Sequence, residues 1–225
     1  AAKPGDWDGF QAYMDKETGT KIRPGCSVEP LIDGQTAFPK MLEAIDKAKT
    51  SVNWTVFEFD ADATGQEVAK HLAAAADRGV KVRLLYDGYG SSDTDGSAVG
   101  KKLMKDLRDH KVDIVERNKF LGHITHRKIL TVDGETGFIG GMNVGDNYST
   151  IWHDIHSEVK GPAVADLQDL FVTQWKSLNG KISESDQAAL YPPLAAVGNT
   201  GARIVGHVGS CDTNLKKAYM RDIDT

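Results

Sequence analysis

The sequence predicts an α/β fold, a layered arrangement with one mixed β-sheet and helices on both of its faces. Three observations predict it. Short β-branched and aromatic runs alternate along the chain with stretches whose apolar residues recur three and four apart. Turn dipeptides and glycines separate these runs. The length, 225 residues, suffices to bury roughly 70–75% of the unfolded surface, so one large domain or one domain with a stub fits.

The elements follow in order. Asp33-Gly34 signals a turn, and Met41, Leu42 and Ile45 give a helix from about Gln35 to Thr50 its apolar face. Ser51–Phe59 (SVNWTVFEF) reads as a buried strand. Thr64-Gly65-Gln66-Glu67 has the spacing of a capping box. It opens a helix through Val68, Leu72, Ala75 and Ala76 that stops at Gly79. Val80–Tyr86 is a second strand. The polar stretch Asp87–Gly96 (DGYGSSDTDG) reads as a loop, because its Gly88-x-Gly90 lacks both the Walker lysine and the full dinucleotide fingerprint. A helix from about Ala98 to His110 leads to the strand Val112–Glu116. Ile129–Val132 and Phe138–Ile139 form a hairpin around Asp133-Gly134, and Asp154–Val159 adds a strand. Gly161-Pro162 starts a helix with Val164, Leu167, Leu170, Phe171, Trp175 and Leu178 on its apolar face. Past Asn179 the pattern becomes irregular, with Tyr191-Pro192-Pro193 and Gly198–Gly201 as linker-like punctuation. A last amphipathic helix begins near Asn214 and runs to Thr225.

Composition narrows the function classes. Apolar content of 40% and charged content of 26% are ordinary for a globular protein. No apolar run reaches the ~18–20 residues that cross a bilayer. A net charge of −5 leans away from nucleic acid as a partner, since tracking a polyanion calls for a basic groove. Cys26 and Cys211 read either as small hydrophobes or as a bridge, which would require an oxidising compartment. The start, Ala1-Ala2-Lys3-Pro4, has the look of a signal-peptidase product, pointing to a secreted or periplasmic location. An arbitrary segment boundary, with a cytoplasmic or membrane-peripheral location, is the alternative.

The chemistry concentrates in His126-Arg127-Lys128-Ile129-Leu130-Thr131-Val132-Asp133, followed after six residues by Gly140-Gly141-Met142-Asn143. In an extended strand, His126 and Lys128 project to one side about 7 Å apart. An imidazole and an ammonium converging on one point suit a phosphate. Asn143 follows a double glycine, where backbone approaches closely and an amide can donate to the same oxygens. Asp133 is either part of this site or, with Gly134, the corner of a type I′ hairpin.

This pattern resembles the H-x-K-x4-D-x6-G-G-x-N signature of the phospholipase D superfamily, with every specified position present. Leu31-Ile32-Asp33-Gly34, Ala44–Lys49, Arg78–Val82, Tyr86–Ser91, Trp152–His156 and Gly161–Val164 look like its bacterial cardiolipin-synthase-like branch, over roughly residues 28–180. The resemblance implies a phospholipase D-like fold and covalent catalysis without metal or cofactor. One histidine attacks phosphorus and forms a phosphohistidine, a second protonates the leaving alcohol, and lysines and asparagines hold the oxygens. His126, Lys128, Asp133 and Asp154 are the expected catalytic residues, with His126, Lys128 and Asn143 on the phosphate. Asp154 matches the carboxylate that fixes the histidine tautomer. The implied activity is phospholipase D hydrolysis of phospholipids with transphosphatidylation to alcohols. The alternatives are a nuclease or other phosphodiesterase of the superfamily, a cardiolipin-synthase-type phosphatidyltransferase, or an inactive phosphate- or lipid-binding half-site.

Such a site needs two signatures and this sequence carries one. Residues 1–180 therefore read as one catalytic half-domain, 181–211 as a linker and 212–225 as the beginning of a repeated half. Tyr219, Met220, Ile223 and Asp224 echo Met41, Leu42, Ile45 and Asp46, and Gly209-Ser210 with Asn214–Tyr219 resembles the entry to the family's second half. The expected partners are a phospholipid, peripheral contact with a membrane, and a second half-site. The half-site comes from a C-terminal fragment of the same enzyme or, alternatively, from a second copy.

Overall fold

The computed structural model describes residues 7–118, 124–206 and 216–217. The N-terminal helix α1 (Trp7–Thr18) precedes β1 (Arg23–Ile32), α2 (Gly34–Lys47) and β2 (Ser51–Val56). Then come α3 (Ala63–Asp77), β3 (Lys81–Asp87), the single turn α4 (Ser92–Gly96), α5 (Ala98–Asp109) and β4 (Asp113–Arg117). The hairpin β5 (Ile129–Val132) and β6 (Thr136–Gly140) leads through a π-helical turn at Asn147–Ile151 to β7 (Ile155–Lys160). Helices α6 (Val164–Ser177) and α7 (Glu184–Ala189) and a short β8 (Thr200–Ala202) complete the order.

The strands form one mixed sheet in the order β4-β3-β2-β5-β6-β7-β1-β8. β2, β3 and β4 run parallel, joined by crossover helices, and the remaining neighbours are antiparallel. Strand alternation divides β2 cleanly. Val52, Trp54 and Val56 face α2, α3 and α5 in the larger core, together with Ile45, Leu72, Leu84 and Leu130. Ser51, Asn53 and Thr55 face α6. There Gln168 of α6 accepts from Thr131 Oγ1 at 2.7 Å and from Asn53 Nδ2 at 3.4 Å, which joins these side chains, while its Nε2 finds no partner among the described residues. Phe171 and Trp175 of α6 close this second face over Leu85 and Leu190.

The expected layered α/β sheet with helices on both faces is the observed one, and several local expectations change. α3 is capped by Asp62, whose carboxylate accepts from Gly65 N at 2.9 Å. The capping box at Thr64 does not form, because the Thr64 hydroxyl and N–H both turn to Asp146 Oδ1. β2 ends at Val56 rather than Phe59, since the chain bends and Phe59 bridges to Val144 instead. The stretch after β3 holds the short helix α4 within the expected loop. The expected linker is folded onto the domain as far as Gly206. Asp186 of α7 pairs with the buried Arg83 at 2.7 Å, Leu190 enters the core, and β8 joins β1. A chain that satisfies a buried guanidinium cannot hang free. The helix expected from Asn214 lies, apart from Lys216 and Lys217, outside the described residues, as do Cys211 and the proposed repeat; Cys26 is buried. No described helix is long and apolar enough to cross a membrane.

Candidate active site

The candidate site lies at the end of the sheet where the parallel strands β2 and β3 finish and β5 begins, the edge at which open α/β sheets commonly bind ligands. His126 and Lys128 sit in the extended segment just before β5, not in the strand itself. Their side chains do project to the same side, and both meet Phe57. The His126 ring lies 4.7 Å from the Phe57 ring, and Lys128 Nζ lies 5.1 Å from the same centroid. His126 is exposed, whereas Lys128 is 5% exposed and donates from Nζ to His126 O at 3.1 Å.

These environments set the charges. Burial pushes the Lys128 ammonium down to about 8, with Glu58 and Asp154 acting in the opposite direction. It therefore remains mostly charged at neutral pH but loses its proton easily for a lysine. His126 lies below the usual imidazole value, first through burial and then through the Lys128 charge, against a contrary pull from Asp87. The imidazole is thus neutral at pH 7, with a lone pair available for attack.

Asn143 is placed by the double glycine. A Cβ on Gly141 would stand 2.2 Å from Asp154 Oδ1, and one on Gly140 would stand 2.3 Å from Ile155 O, so the turn can lie against the start of β7 only without side chains. Asn143 is 3% exposed and its amide is already engaged. Its oxygen accepts from Glu58 N at 3.1 Å, while Nδ2 donates to Tyr148 OH at 2.7 Å and to Glu58 Oε2 at 3.4 Å. Tyr148, on the π-helical turn, donates to the same Glu58 oxygen at 3.0 Å. π-Turns of this kind recur at functional sites. Burial drives the Tyr148 phenol up to about 12, so it keeps its proton. Asn143 here braces Glu58 beside Lys128, and a phosphate oxygen would have to displace one of its present acceptors.

The other two expected residues are not brought to His126. Asp154 accepts from Ile155 N at 2.6 Å, and among the described residues it makes no hydrogen bond to His126; its reach is electrostatic, toward Lys128. Asp133 stands at the far end of β5, roughly 16 Å from Lys128 at ~3.3 Å per residue. Its carboxylate accepts from Lys49 N, Thr50 N, Thr50 Oγ1 and Ser51 N. Burial alone would raise its pKa, but these donors together hold it below the usual carboxylate value. Asp133 and Gly134 both have positive φ, 55° and 68°, and Glu135 N closes the turn onto Val132 O at 3.0 Å, as a two-residue hairpin requires.

Phe57, Glu58, Tyr148 and His156 complete the neighbourhood, and the signature announces none of them. His156 pairs with Gly140 across β7 and β6, is 2% exposed, and leaves Nδ1 without a hydrogen-bond partner among the described residues. Burial, and then the Lys128 charge, push it down to about 4, so it stays neutral. The one sequence cue was a histidine two residues beyond Asp154, on the same strand face. His153 instead faces outward and pairs with Asp33 at 2.7 Å, and His123 lies outside the described residues.

Several known proteins resemble this chain. Residues 41–175 match the family model described as cardiolipin synthase, PLD-like domain. The major cardiolipin synthase ClsA of Bacillus subtilis is 31% identical over 212 residues, covering 88% of this chain and 43% of that protein. Cardiolipin synthase 1 of Bacillus anthracis is 33% identical over 159 residues, covering 64% of this chain and 30% of that protein. The chain thus spans less than half the length of these curated relatives. Among solved structures, the phospholipase D family member Nuc of Salmonella typhimurium superposes with a TM-score of 0.56 at 23% identity, over 68% of this chain and 93% of that one. Phosphatidylserine synthase of Haemophilus influenzae gives a TM-score of 0.62 at 13% identity, over 94% of this chain and 56% of that one. Both show the fold.

Proposed function

This chain belongs to the phospholipase D-like family of the cardiolipin synthases, and from that premise we propose that it supplies one half-site of a phosphatidyltransferase. The reaction moves a phosphatidyl group from a phospholipid to an alcohol through a phosphohistidine. Hydrolysis to phosphatidic acid, the first expectation from the sequence, gives way to transfer because the named relatives are synthases.

The observation that carries the reading is the pairing of a neutral, exposed His126 with a desolvated Lys128 over one phenylalanine ring. A lone pair of the imidazole attacks phosphorus and the bond to the departing alcohol breaks. Lys128 offsets charge on the non-bridging oxygens as the transition state forms. A second imidazole protonates the departing alcohol. In the return step the acceptor alcohol gives that imidazole its proton, its oxygen attacks phosphorus, and the phosphorus–nitrogen bond breaks. His126 cannot serve both ends of this displacement, so the second imidazole comes from a partner half-site, which we assign to a C-terminal segment of the same enzyme. Two His126 residues facing each other in a dimer would overturn that assignment.

The test incubates the purified protein, together with the C-terminal segment that carries the second half-site, with phosphatidylglycerol or phosphatidylcholine vesicles, and separately with single-stranded DNA. Acid-stable products and an acid-labile, base-stable phosphoenzyme are both followed. Cardiolipin and glycerol from phosphatidylglycerol, with a phosphoenzyme that disappears in His126→Ala, are the expected result. Phosphatidic acid alone would restore hydrolysis, and cleaved DNA with untouched lipid would make the protein a nuclease.

A further inference from the structure

His126 is exposed, yet the residues on each side of it are tied down. Thr125 N donates to Asp87 Oδ2 at 2.6 Å, and Thr125 Oγ1 accepts from Gln174 Nε2 of α6 at 3.1 Å. Gln174 is itself held by the Thr55 hydroxyl of β2 at 3.3 Å. On the other side, Arg127 Nη1 donates to Leu170 O of α6 at 3.2 Å. Asp87, the last residue of β3, is fully buried. Its second oxygen accepts from Tyr89 N at 2.9 Å, and Arg117 Nη1 at the end of β4 approaches Oδ2 to 3.4 Å.

We propose that Asp87 is the positioning residue of this half-site, fixing the backbone in front of His126 through the Thr125 N–H and placing a buried negative charge on that side of the ring. It does not touch substrate. A carboxylate is needed because two backbone N–H groups arrive at two different oxygens, and an asparagine would offer one of them an NH2 group. The charges that reach His126 are Lys128 from its own segment and Asp87 from β3, with opposite effects, and Arg117 of β4 offsets Asp87. Holding the imidazole in place matters because a shift of about 1 Å in a reacting group can cost about 10²-fold in rate.

The inference deepens the transferase reading but its first readouts do not depend on turnover. In the full chain, the Thr125 amide proton should be far downfield and strongly protected from exchange; an unprotected amide at an ordinary shift overturns the proposal without any variant. In Asp87→Asn, the His126 titration midpoint followed by NMR should move downward and the Thr125 protection should be lost. The double variant Asp87→Asn with Arg117→Gln removes both buried charges together and separates positioning from neutralisation of Arg117. It should lose the Thr125 protection as well and show about 10²-fold lower kcat at unchanged KM, while the His126 midpoint, with both opposed charges gone, moves less than in the single variant. Wild-type kcat in the double variant, or an unmoved His126 midpoint in Asp87→Asn, would show that Asp87 merely balances Arg117. If the wild-type protein transfers no phosphatidyl group even with the second half-site supplied, the functional reading fails while titration and exchange still decide this one.

Discussion

Replacing His156 with leucine should flatten the acid limb of the stability curve. His156 is buried, its Nδ1 has no partner among the described residues, and burial together with the Lys128 charge pushes the imidazole from 6.5 down to about 4. A group depressed in the folded state adds stability that is present above its unfolded value and is lost as pH falls through its folded value. The window therefore runs from 6.5 to about 4. At ~1.4 kcal/mol per pH unit, His156 alone removes on the order of 3 kcal/mol across it, a large share of the ~5–15 kcal/mol typical of a domain. Asp60 works the other way. Burial, and then the neighbouring Glu58 and Asp62, raise it from 3.8 to about 7, so its contribution is present below 3.8 and lost as pH rises through about 7. Both proteins carry Asp60, so it cancels in the difference between them. Urea unfolding from about pH 7 to about pH 4 should show the leucine variant close to wild type at the top of the range. The unpaired Nδ1, worth ~1–3 kcal/mol when relieved, compensates there for imperfect packing. At the bottom the variant should be ahead by roughly 3 kcal/mol. Midpoints that fall in parallel would mean that His156 is solvated or partnered in solution, and the reasoning would fail.

Two further outcomes follow from the same geometry. Because Lys128 sits near 8, activity should decline above about pH 8 as the ammonium is lost, and Lys128→Arg should carry that limb upward while Lys128→Ala removes ~2–4 kcal/mol of transition-state stabilisation. A change confined to KM would show that Lys128 only docks substrate. Asp133→Ala should lower the melting temperature, since four donors lose their acceptor, yet leave kcat per folded molecule unaltered; an unchanged melting temperature with reduced kcat would return Asp133 to the chemistry.

The elements legible in the sequence were those whose pattern is local. The β-branched run at Ser51, the alanine-rich α3 and the Asp133-Gly134 hairpin each announce themselves within a dozen residues. β1 did not, because Pro24, Gly25 and Pro30 are poor strand formers. Pro30 is tolerated because beyond Cys26 the strand has, among the described residues, a ladder only toward β7, and Pro24 and Gly25 fall in the irregularity between Arg23 and Cys26 in the pairing with β8. The site divides in the same way. His126 and Lys128 are carried by spacing along one segment. Glu58 and Tyr148 meet over Asn143 only because β2, the double-glycine turn and the π-turn converge, which no periodicity encodes. Asp133 shows the converse: fixed spacing to Lys128 made it look like site chemistry, whereas its place is a hairpin corner bonded to the chain before β2.

The pairing of β1 sets a schedule for synthesis. Ser27 finds Lys160 and Cys26 finds Thr200, so among the described residues β1 has no partner strand until about 130 further residues have left the ribosome. At ~5–20 residues per second that wait is on the order of ten seconds, during which β2 and β3 can already associate. An unpaired strand exposed for so long invites aggregation. The two prolines, the glycine and Glu29 in β1 make it a poor template for a wrong partner, so the residues that hide this strand from pattern reading also protect the nascent chain.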